Sequence, residues 1–121
     1  MKKLIFGLML TTSACLVADI SGTYDVSGWD PYEKEAYTGT VIITKDQNNV
    51  YQGNWNLNDG EKYQGTGLIG EKDATFIFVG GDPGQEVLQG VQYYSFEEEN
   101  LNGAWVLINQ NLVGSEKLQK R

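Results

Sequence analysis

Beyond Asp19, apolar and polar residues alternate at every second position, and no stretch sustains a helical apolar period. Residues 20–27 set Ile20, Gly22, Tyr24 and Val26 against Ser21, Thr23, Asp25 and Ser27. Residues 37–45 set Tyr37, Gly39, Val41 and Ile43 against a threonine-rich face. Residues 50–57 set Tyr51, Gly53, Trp55 and Leu57 against Gln52, Asn54 and Asn56. Segments 63–69, 74–79, 86–96, 101–108 and 112–119 complete a set of eight predicted strands.

The links at 46–49, 58–60, 70–73, 80–84, 97–100 and 109–111 are short and rich in Asn, Asp and Gly. These residues tolerate the positive φ of tight hairpins, so consecutive strands are expected to be antiparallel neighbours. Only 28–36 reads as a long loop. The pattern predicts an all-β, eight-stranded, antiparallel up-and-down meander. Closing it into a barrel removes both exposed edges, and an open two-sheet sandwich is the alternative. Glycine recurs two residues from an aromatic on one face: Gly22 and Tyr24, Tyr37 and Gly39, Gly53 and Trp55, Gly103 and Trp105. Small-large alternation suits an inward barrel surface.

The N-terminal segment follows different rules. Met1-Lys2-Lys3 precedes the apolar run Leu4–Leu10 and the small residues Thr11–Ala14, with no charge between Lys3 and Asp19. Residues 1–18 therefore read as an export signal, followed by a single domain over 19–121. Ser13-Ala14-Cys15 is similar to a lipobox, in which Cys15 would be lipidated; cleavage after Ala18 is the competing scheme. Localisation is expected to be periplasmic, outer-membrane lipoprotein or secreted, with membrane contact only through a lipid anchor at Cys15.

Composition narrows the chemistry. The chain has no histidine and one cysteine among its 121 residues, so imidazole catalysis, a histidine-ligated zinc and an internal disulfide are all ruled out. Its net charge of −7 becomes −9 once residues 1–18 are gone, with 7 basic against 16 acidic groups. Such a surface disfavours nucleic acid and steers basic partners toward itself. Neither a calcium-loop spacing nor a phosphate loop is present, Asp82-Pro83-Gly84 reading as a turn, so no metal or cofactor is expected.

With Ser21-Gly22-Thr23-Tyr24 opening the first strand, the chain resembles the calycin group of barrels, whose signature there is Gly-x-Trp. Residues 101–107, Leu-Asn-Gly-Ala-Trp-Val-Leu, and 111–116, Asn-Leu-Val-Gly-Ser-Glu, are similar to the last two strands of avidins. That resemblance implies a pocket walled by Trp105 and supported at its polar end by Glu116. Val26 departs from it, standing where the family carries a polar residue for the ureido group. Tyr51–Trp55 with Tyr63–Gly67 resembles a MORN unit, without its constant repeat period. In size and acidity the chain also resembles exported eight-stranded lysozyme inhibitors, which implies an envelope lipoprotein.

Candidate residues follow from faces and loops. Tyr24, Tyr51, Trp55, Tyr63, Tyr93 and Trp105 are expected to line a ligand cavity or, alternatively, to fill a packed interior. Alternation puts Glu116 on the face of Leu112, Gly114 and Leu118, either inside the barrel or, if the strand is turned, in solvent. Trp29, Asp30 and Tyr32 in the long loop are candidates for partner contact or for capping one barrel end. No catalytic residue is assigned; an enzyme would need an inward carboxylate pair such as Asp25 with Glu116. The expected function is a non-enzymatic binding module for a basic protein or small ligand at the cell envelope. The alternatives are a carrier of a small apolar or aromatic ligand and a lysozyme-inhibitor-like lipoprotein.

Overall fold

A computed structural model describes residues 18–121, so residues 1–17 of the export segment, Cys15 among them, lie outside the described residues. Eight strands run β1 (Gly22–Asp30), β2 (Glu35–Lys45), β3 (Tyr51–Leu57), β4 (Lys62–Ile69), β5 (Asp73–Gly81), β6 (Leu88–Glu97), β7 (Asn100–Leu107) and β8 (Val113–Lys120). Each pairs antiparallel with the next, and β1 pairs with β8 from Tyr24↔Lys120 to Trp29↔Ser115. The sheet is thus a closed meander barrel, and the sandwich alternative is overturned.

One expectation about the links fails. Residues 28–36 are not a long loop, because β1 and β2 stay paired out to Asp30↔Glu35. Only residues 31–34 turn, with Lys34 at φ 58 closing the hairpin. Pro31 and Gly28 signal a break in the sequence, yet cross-strand pairing continues past Gly28 and holds it in the ladder.

Inside, the barrel is divided. Tyr24, Ile43, Phe76, Tyr94, Leu101 and Leu118 are essentially inaccessible and fill the half nearest the start of β1. Full burial of each such side chain stabilises by about 1.5–3 kcal/mol. The chain ahead of β1 seals that end: Ile20 is buried in the same cluster, and the Tyr24 hydroxyl donates to the Ile20 carbonyl at 2.8 Å. Asp19 clamps this segment, accepting from the Tyr51 hydroxyl at 3.3 Å and pairing with Lys45 at 3.3 Å. Hydrogen bonds from Ser21 chiefly hold the Asp19 carboxyl well below its usual range.

Candidate functional site

The other half is hollow. A cavity of about 490 Å³ opens between the hairpin ends at 31–34, 58–61, 82–87 and 108–112, within the size range of small-molecule sites. Its walls are rings, Tyr37, Trp55, Tyr63, Phe78 and Trp105, and its floor is Glu116 with Gln92.

Glu116 owes its setting to strand register. On β8 it pairs laterally with Gly28 of β1 and Gly103 of β7, while beyond these glycines lie Tyr37 of β2 and Tyr94 of β6. A Cβ on Gly28 would fall 2.3 Å from Tyr37 Cζ, so the missing side chain is the space the tyrosine ring occupies. A Cβ on Gly103 would collide with the Tyr93 carbonyl, so its absence lets β6 approach and bring Tyr94 close. Both tyrosines thereby reach the carboxylate from two strands away.

Tyr37 donates to Glu116 Oε1 at 2.7 Å, Trp55 Nε1 donates to Oε2 at 3.1 Å, and the Tyr94 hydroxyl donates to Oε2. Trp105 Nε1 in turn donates to the Tyr37 hydroxyl at 2.9 Å, and Tyr32 stacks on Trp105 with centroids 6.3 Å apart. Burial raises the Glu116 carboxyl above 4.5, and the three hydrogen bonds pull it back. Burial, followed by the Glu116 charge, raises the Tyr37 and Tyr94 hydroxyls and holds them as donors. A carboxylate has about four acceptor sites. Three are taken, which leaves one on Oε1.

Gln92, 3% exposed, donates through Nε2 to the carbonyls of Tyr93 and Ala104 at 3.2 and 3.1 Å. Its Oε1 accepts no hydrogen bond among the described residues. Since among the described residues no buried side-chain oxygen lacks a partner, that oxygen opens to the cavity Gln92 lines. At the rim, Tyr63 donates to Glu61 at 2.5 Å, and burial raises the Glu61 carboxyl, with Asp59, Asp82 and Asp30 adding to the effect.

Four of the residues predicted to line a cavity do so: Trp55, Tyr63, Trp105 and Glu116. Tyr24 and Tyr51 face inward but belong to the sealed half, where they pack rather than line space. Tyr93 is a correction. It points outward, 45% exposed, with its hydroxyl on Asp73, and its neighbour Tyr94 takes the inward position. In the supposed interaction loop, Asp30 and Tyr32 stand at the cavity mouth, whereas Trp29 lies on the outer wall, 46% exposed. Asp25 also faces outward, paired with Arg121 at 2.9 Å, so no Asp25–Glu116 carboxylate pair forms. Sequence reading missed Tyr37, Tyr94 and Gln92 as site residues, although alternation from Val41 already turns Tyr37 inward. Comparison with protein-family models, curated proteins and solved structures finds no match.

Proposed function

We propose that this chain is an exported, non-enzymatic barrel that holds a small ligand in the open half of its interior, in a calycin-like mode. One observation carries this reading: the interior is packed at one end and hollow at the other, with about 490 Å³ above a hydrogen-bonded floor. A barrel needing only stability would fill that space, because unfilled volume forfeits packing contacts. The floor is also pre-organised. Tyr37, Trp55 and Tyr94 converge on one carboxylate before any ligand arrives, which lowers the ordering cost of binding. Export rests on residues 1–18, and intact-mass measurement of the mature protein separates an acylated Cys15 from cleavage after Ala18.

The neutral dye Nile red tests the cavity. Its emission is expected to rise on the wild-type barrel and to stay low on Leu107→Trp, which puts a bulky indole in place of an isobutyl group at a lining position. Equal enhancement on both proteins would move the dye to the outer wall and remove the reading.

A further inference from the structure

We infer that the cavity selects an organic cation: a protonated or quaternary amine on an apolar or aromatic body. This rests on the cavity reading above and adds the ligand's chemistry to it. Glu116 is a buried carboxylate with an open acceptor site on Oε1, and Gln92 presents a second unfilled acceptor on the same floor. Two acceptors at the bottom of a cavity call for a donor. Among the described residues, no Lys or Arg supplies one. The ion pairs among the described residues are Lys45–Asp19 and Arg121–Asp25, both away from the cavity, and no Lys or Arg lines it.

Charge at the entrance has the same sign. Asp30, Glu33, Glu35, Asp59, Glu61 and Asp82 surround the mouth, brought there by three separate hairpins. A cleft lined by one sign of charge concentrates ligands of the opposite sign and repels those of its own. Burial raises the Glu61 carboxyl, and the neighbouring carboxylates of Asp59, Asp82 and Asp30 add to that rise. Between rim and floor stand the rings of Trp55, Tyr63 and Trp105, residue types whose π-systems attract cations. A bare metal ion fits less well, because among the described residues no three acidic side chains converge closely enough to ligate one. The mouth continues into a shallow hollow shared by Asp59, Glu61, Asp82 and Leu88, which leaves room for a tail or an attached chain.

The test uses the Trp29→Phe chain, in which Trp55 and Trp105 are the remaining indoles. Benzylamine, its neutral counterpart benzyl alcohol and a lysine-containing peptide are titrated against indole fluorescence. Saturable quenching by benzylamine is expected, about tenfold or more tighter than by the alcohol, and weakened by salt. Glu116→Gln and, separately, the rim pair Asp59→Asn with Glu61→Gln should each erase most of that preference, and near-UV circular dichroism verifies their folds. Binding of the peptide alone upholds the cation chemistry and assigns its source to protein. Equal affinity for amine and alcohol overturns the inference but leaves the cavity reading standing. If neither binds and Nile red also fails, the cavity reading falls with it.

Discussion

Tyr37 reaches Glu116 across a glycine, its hydroxyl 2.7 Å from Oε1 and its ring lying where a side chain on Gly28 would stand. Three adjacent strands, β2, β1 and β8, thereby contribute one residue each to a single row. The same contact positions Trp105, whose indole donates to the Tyr37 hydroxyl. Packing, closure of the barrel and the polar floor all meet at this row.

Gly28→Ala tests the arrangement. Its Cβ would sit 2.3 Å from Tyr37 Cζ and 2.6 Å from the Ser115 carbonyl, so the ring has to move. Overpacking of this kind costs about 1–3 kcal/mol. We expect a destabilisation of that size in urea unfolding, together with a changed near-UV spectrum as Trp105 loses its acceptor. A fold of unchanged stability and spectrum would mean that Tyr37 is not held against Gly28.

Acid stability should report Glu116. Burial raises its carboxyl in the folded barrel above 4.5, so the folded state retains the proton to higher pH than the unfolded chain. Its contribution to stability is therefore fully present below 4.5 and is lost as pH rises through the raised value. Glu116→Gln cannot titrate. Relative to wild type, the variant is expected to gain stability as pH climbs from 4.5, measured by urea unfolding at a series of pH values. A pH-independent difference between the two would contradict the buried carboxyl.

Alkali acts on the tyrosines. Burial raises Tyr24 from 10.0 to about 12, and Tyr37, Tyr63 and Tyr94 are raised as well. Stability from these hydroxyls is present below pH 10.0 and is lost as the pH passes through the folded-state values, beginning with Tyr24 near 12. Ultraviolet titration should show these tyrosines still protonated in the native barrel at a pH where the urea-unfolded chain is fully ionised. Coincident titration of native and unfolded protein would rule out their burial.

The two halves of the interior should be separable. Ile20 is 5% exposed in the sealed end, away from the cavity lining. Ile20→Ala is expected to cost about 2–5 kcal/mol of stability. Nile red affinity, measured under conditions where the variant stays folded, should be unchanged. Loss of dye binding in a folded Ile20→Ala barrel would mean that the seal and the cavity are one cooperative unit.

Much of the barrel is legible from residue faces. Period-two alternation sets strand number, antiparallel order and the inward orientation of Trp55, Tyr63 and Trp105, since one face of each strand must be dry. For Glu116 it leaves both faces open, and only the closed barrel turns the carboxylate inward. Alternation does not give depth along the barrel axis. Tyr24 and Trp55 both point inward, yet one is packed at the sealed end and the other lines open space, a distinction made only by register and hairpin position. Alternation points to Tyr93 rather than Tyr94 as the inward residue because the inward face carries the polar Gln92, while Val91 and Tyr93 make the outward face look apolar. Outward β-branched residues extend further, in the cross-strand row Ile77–Val91–Val106–Val113. Rim acids from three hairpins come together only when the sheet closes, which no local pattern encodes.

The most direct measurement follows the three indole N–H signals of the nitrogen-15-labelled protein during titration with benzylamine and, separately, Nile red. Trp55 and Trp105 face the cavity and Trp29 the outer wall, so a bound probe should shift the first two resonances and leave the third in place. Movement of Trp29 alone, or stationary Trp55 and Trp105 signals with both probes, would contradict a ligand-holding barrel interior.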